Sequence, residues 1–218
     1  MPSKPAMRTL LAGAPLVFAA LLMFHPIGDG DFYAAVAADP TRWLAVHIGS
    51  ALLFPLMAAV LWLQIRDVPG RAAAVSRVSL HVFAVFYGVW EALMGIASGV
   101  VAHEGATMSS GARAGIAEAV NAIATHPIVG ELGVFNSIGS LAWVAAISAA
   151  IVALRGVGVR GSTLILLGVG AMMVMHVPPF GPVALVCLSA AGLRIERERE
   201  RRSWRRGPTP IVAVAARA

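Results

Sequence analysis

The chain has 218 residues, is 58% hydrophobic and 13% charged, and has a mean hydropathy of +0.79. A soluble domain does not carry so few charges over so much apolar sequence, so soluble enzymes and soluble binding modules are excluded and an integral membrane protein is expected. The net charge of +6 rests on sixteen Arg and one Lys, and their placement along the chain argues for membrane topology, with no nucleic acid as partner.

The first apolar run covers about 7–24, after Lys4 and Arg8. It has the look of a signal peptide, with a small-residue pattern at 35–37. The acidic stretch around Asp29 and Asp31 separates the two, so an uncleaved first span is expected. Pro26, Gly28 and Gly30 break the helix; residues 32–38 then read as a short interfacial helix with Phe32 and Tyr33 at the headgroups. The second span covers about 43–65 and contains Pro55, which frees the carbonyl of Ala51 and predicts a kink.

A basic loop, with Arg66, Arg71 and Arg77, leads into the third span, 79–101. At 23 residues it is roughly 34 Å long as a helix, enough to cross the hydrocarbon core. Glu91 sits in its middle, with Gly88, Gly95 and Gly99 at i−3, i+4 and i+8. An acid at that depth costs roughly 2.5 kcal/mol or more without a partner, so this face is expected to look into a bundle. The long loop that follows has a serine cap at Ser109 or Ser110 and a surface helix at about 111–124.

The fourth span is expected at about 129–154, and two shorter apolar pieces follow at about 162–177 and 180–193, separated by VPPFGP. Either they cross twice or they form a re-entrant hairpin. The charged segment 194–218 reads as a cytoplasmic tail, with a Glu198–Arg202 pair on a solvated helix and Trp204 at the membrane surface. Residues 47–66 weakly echo 137–155, each reading IGS, an apolar run, then Arg. Fifteen of the seventeen basic residues fall on one side of this layout, and only Arg42 and Arg113 on the other. The positive-inside rule then puts both termini in the cytoplasm and requires an even number of crossings. The expected fold is an all-α, multi-pass bundle of about six transmembrane helices, spanning 1–193, in a cell membrane. The Arg, Ala and Gly usage points to a GC-rich bacterial genome. The single Cys187 lies in an apolar run and reads as a packing residue.

The layout sorts the histidines. His25, His47, His103, His126 and His176 fall on the outer half, and His81 on the inner. His25, His47 and His176 sit at span ends, where a bundle can hold them, and make the best trio for a transition metal or haem. Met172 lies four residues before His176, on the same expected helix face, which would suit Cu(I). Glu91 and Asn136 complete the expected polar pocket. No HxxxH, HExxH or CxxC spacing supports a site. Gln64 reads as part of a solvated edge beside the arginine loop. Three functions follow as expectations: a metal- or haem-binding membrane protein; a proton- or cation-coupled transporter of small solutes using Glu91; and a non-catalytic accessory subunit with a membrane-protein partner or a second copy of itself.

Overall fold

The computed structural model describes residues 4–27 and 30–205, with the side chains of 4 and 202–205 left out. The expected Glu198–Arg202 pair, the placement of Trp204 and the segment after 205 lie outside the described residues. The described chain is all helical, and four of its helices are long and apolar enough to cross a membrane: Pro5–Leu22, Pro40–Gln64, Arg71–Gly105 and Val134–Gly156.

Helix α1 is Lys4–Leu22. The short α2, Phe32–Ala38, is capped by Asp31, whose side chain accepts from the Ala34 N–H. Asp39 caps α3, Pro40–Gln64, in the same way through the Arg42 N–H. The expected third span is longer than 79–101. It begins at α4, Arg71–Trp90, passes through a π-helical turn at Glu91–Ala97, and ends as α5, Ser98–Gly105. Its added turns at the start carry Arg71 and Arg77, which a helix can hold beyond the apolar zone. Helix α6, Ser110–Thr125, starts at the expected Ser109 cap.

The fourth span starts later than 129. Residues 127–133 form turns in which the amide of Glu131 donates to the Ala124 carbonyl, and α7 runs Val134–Gly156. Gly130 and Gly133 have backbone atoms within 2.8 Å of where a Cβ would stand, so the tight turn excludes a side chain. Helix α8, Gly161–Val169, tightens into a 3-10 turn at Gly170–Val174. After the Pro178–Pro179 pair, α9 runs unbroken from Phe180 to Arg205, so no boundary falls at 193/194. The 14-residue α8 segment and the charged α9 do not have the length and composition of a crossing on their own.

The contacts define two ends. At one, Arg8 pairs with Glu200 at 2.6 Å, Arg66 with Glu196 at 3.2 Å, and Arg199 with Glu196 at 2.9 Å. Arg199 also donates to the Gln64 carbonyl, Arg77 to the carbonyls of Ile65 and Val68, and the Arg160 amide to Glu198. At the other end stand His25, His47 and His176, with α2 and α6 beside them. Gln64 is a correction: it is 1% exposed, not solvated. It lies against Gly192, where a Cβ would come within 3.0 Å of the Gln64 amide nitrogen.

Between the ends lies an aromatic core of Phe18, Phe54, Phe83, Tyr87 and Trp143. Helices in lipid gain little from hiding apolar surface, so close backbone approach has to supply the packing energy. Helix α7 turns a stripe of Gly139, Ala142, Ala146, Ala150 and Ala153 inward. A Cβ on Gly139 would sit 2.9 Å from the Tyr87 backbone nitrogen, and Ser76 donates to the Ala146 carbonyl at 2.8 Å. Trp143 closes the core by donating to the Gly170 carbonyl at 3.0 Å.

Candidate functional site

The three histidines chosen from the sequence meet. His25 follows the last turn of α1, His47 lies two turns into α3, and His176 follows the 3-10 turn. Ring centres are 5.1 Å apart for His25 and His47, 4.9 Å for His25 and His176, and 6.2 Å for His47 and His176. His25 and His47 are buried, and His176 is half-buried.

Each ring spends its Nδ1 on a neighbour. His25 Nδ1 is 2.8 Å from the Pro26 carbonyl, which can only accept, so this nitrogen carries the proton. Tyr87 donates to the Val174 carbonyl at 3.1 Å, and its oxygen is then free to accept from His176 Nδ1 at 3.2 Å. His47 Nδ1 stands 2.7 Å from Glu91 Oε1 and donates to the carboxylate. These tautomers are assigned from the hydrogen-bond network. The result is three Nε2 atoms that present lone pairs. Those of His25 and His47 are buried and have no partner. Burial, and next the neighbouring His47, push the His25 pKa down to about 4; the ring is neutral at ordinary pH, the form that ligates metals.

Glu91 is fully buried, as its helix face required. It stands behind His47 and does not itself line the cavity described below. Its other oxygen, Oε2, has no partner, nor has the hydroxyl of Ser50, three residues after His47 on α3. The π-helical turn starts at Glu91. Such turns occur often at functional sites because they displace one face of a helix. Here the turn presents the Gly95 carbonyl to Trp43 Nε1 at 2.7 Å and lays the Gly95 backbone on the imidazole of His47. A Cβ on Gly95 would lie 2.5 Å from His47 Nδ1. The Gly95–Gly99 pair therefore packs within the bundle, against His47, Trp43 and Leu44.

The rings line a cavity of about 710 Å³. Trp43, Trp90 and Met94 form its walls, and Phe32, Asn121, Thr125, Asp31 and Glu131 lie around it. Helices α2 and α6 are tied beside it: Asn121 donates to Asp31 at 2.8 Å and accepts from the Tyr33 amide at 2.9 Å.

Asn136 is not part of this site. Its amide donates to the Glu131 carbonyl and its oxygen accepts from Ser140 at 2.9 Å, so it braces the start of α7. Met172 is 36% exposed and absent from the cavity wall, because the 3-10 turn breaks the i, i+4 register with His176. His81, His103 and His126 are exposed and stand apart from the trio. Tyr87, Trp43 and Gly95 are site residues missed in the sequence. Tyr87 was findable: it lies four residues before Glu91, on the same helical face.

Imidazoles that share a tetrahedral ion at about 2.0–2.1 Å have ring centres roughly 5 Å apart. Two of the three pairs match this and the His47–His176 pair is wider. As the side chains stand, no three His, Cys, Asp or Glu among the described residues are placed to hold a metal ion. The chain matches no protein-family model, no curated protein and no solved structure.

Proposed function

We propose that this chain is a multi-pass protein of a bacterial cell membrane that binds one transition-metal ion through His25, His47 and His176. The observation that carries this is the tautomer pattern. Every ring has its Nδ1 within hydrogen-bond reach of a carbonyl, a carboxylate or a phenol oxygen, and in the tautomers assigned above each donates there, which is how metal-ligating histidines are oriented. Three lone pairs that line one cavity repel each other unless a cation or proton donors lie between them. The contacts between rings leave no gap for a macrocycle, so a bare ion suits the trio better than haem. His176 supplies the movement the geometry needs. It is half-buried, follows the end of a helix, and has its Nδ1 3.2 Å from the Tyr87 oxygen; a shift of about an ångström toward His47 would bring the wide pair to the spacing a shared ion demands.

The membrane topology belongs to the same proposal. The arginine end gathers the starts of α1, α4 and α8, the end of α3 and the charged turns of α9. Six crossings with both termini in the cytoplasm put that end inside and the histidine end outside. A proton- or cation-coupled transporter would need a polar route past Glu91. The interior between Glu91 and the arginine end is filled instead by Phe54, Phe83 and Trp143, which gives that use less support.

The test is metal content. Protein purified in detergent, stripped with chelator and reloaded with Zn²⁺ or Co²⁺, is expected to hold one ion per chain after desalting. His47→Ala is expected to hold none. A chain that folds and retains no ion from either solution contradicts the proposal.

A further inference from the structure

Away from the histidines, a groove of about 640 Å³ lies between the end of α7 and the start of α8. Its walls are apolar: Ile151 from α7, Leu164 and Ile165 from α8. Gly168 lines it too, and a Cβ there would make ordinary contact with Ile151 at 3.6 Å. Ile165 is 70% exposed, so the groove opens on the outside of the bundle, where a membrane protein meets lipid. From Gly161 to Gly168, both at the groove, α8 rises roughly 10 Å. That is about two-thirds of the ~15 Å hydrocarbon depth of one leaflet.

One end of the groove is charged. Arg155, in the last turn of α7, lines it, and no acidic residue among the described ones does. Other arginines at this end are spent within the chain: Arg8 on Glu200, Arg66 and Arg199 on Glu196, and Arg77 on backbone carbonyls. Arg155 is exposed, and its side chain has no hydrogen bond or ion pair among the described residues. Glu198, the carboxylate at the start of α8, accepts from the Arg160 amide and the Thr163 hydroxyl and does not line the groove.

We infer that this groove holds one anionic phospholipid, with an acyl chain along Ile151, Leu164 and Ile165 and its phosphate on the Arg155 guanidinium. A guanidinium presents several N–H donors to phosphate oxygens. An apolar helix of another molecule would cover the walls and leave Arg155 without an anion. A free phosphate would use Arg155 and leave the walls uncovered. The lipid satisfies both, with headgroup and chain in the order the groove presents them. The inference rests on the membrane reading above and is independent of the metal.

The experiment titrates the full chain in detergent with phosphatidylglycerol, phosphatidylcholine or glycerol 3-phosphate and counts bound molecules by native mass spectrometry. The first phosphatidylglycerol is expected to bind about fivefold or more tighter than the first phosphatidylcholine, the order that one basic side chain contributes at an anionic lipid surface. Glycerol 3-phosphate, which lacks the chains, should not displace it. Arg155→Gln should cut the preference to about twofold or less, and Arg155→Lys should keep most of it. Arg71→Gln, at an exposed arginine outside the groove, should keep all of it. Gly168→Leu, which places a side chain beside Ile151, should weaken both lipids about tenfold. Equal affinities for the two lipids, a preference that survives Arg155→Gln or falls as far in Arg71→Gln, or displacement by glycerol 3-phosphate overturns the inference. So does a Gly168→Leu variant that dissolves a dimer and binds lipid as before, which gives the groove to a second copy. All of these leave the metal reading standing. A chain that stays monodisperse without detergent overturns the membrane reading, and this inference with it.

Discussion

The two ends of the bundle solve the same problem differently. Both bring polar side chains together where helices converge. At the arginine end the groups satisfy one another: Arg66 and Arg199 share Glu196, and Arg77 fills three backbone carbonyls. Among the described residues there, only Gln64 has a buried side chain left unpartnered. At the histidine end each ring is paired at Nδ1, and the buried Nε2 atoms of His25 and His47 have no partner. The first arrangement holds helices together. The second costs stability unless something binds, since a buried polar atom without a partner costs about 1–3 kcal/mol. The contrast separates a structural network from a site.

Breaking the histidine end should abolish binding and leave the fold. His47→Ala removes one ligand of three and should weaken metal affinity on the order of a thousandfold, measured by competition with a chelator. Unchanged affinity would move the site elsewhere. Gly95→Ala places a methyl group 2.5 Å from His47 Nδ1. It should cost about 1–3 kcal/mol of stability by overpacking and about a hundredfold in affinity. Normal affinity would mean that the His47 ring position is not what matters. Glu91→Gln keeps a hydrogen-bond acceptor for His47 but removes the charge, and should weaken metal binding by about tenfold to a hundredfold.

The smallest effect tests the other end. Burial pushes the Glu196 carboxyl up, but the hydrogen bonds and charge of Arg66, with Arg199, more than offset it and hold the pKa below the usual carboxylate value. A group so depressed adds stability above its unfolded pKa and loses it as pH falls through the folded one. Glu196→Gln should therefore cost about 1 kcal/mol at neutral pH, and the gap from the unaltered chain should close in acid. Metal affinity should not change. A metal effect at Glu196 would show that the two ends are coupled, against the separation drawn here.

How much of this was legible in the sequence follows from what each signal depends on. Span length and charge spacing are local, and four of the six expected spans stand as long apolar helices, with the Ser109 cap and the Glu91 face. The histidine trio was legible because all three residues sit at span ends, and topology alone put those ends on one side. The failures are tertiary. Gln64 is polar beside arginines, which says nothing of the Gly192 notch that buries it. Asn136 shares a level with the site but is spent on its own helix start. The π turn and the 3-10 turn shift register by fractions of a turn, and ideal helical spacing cannot foresee them. That is why Met172 was paired with His176 and Gly95 was not paired with His47.

The most direct measurement is X-ray absorption at the metal edge of the reloaded, detergent-solubilised chain. The account predicts one ion per chain with imidazole scattering from three rings at about 2.0–2.1 Å, lost in the His25→Ala, His47→Ala and His176→Ala variant. One ion per chain with the same spectrum in that triple variant would contradict it, as would a folded chain that takes up no metal.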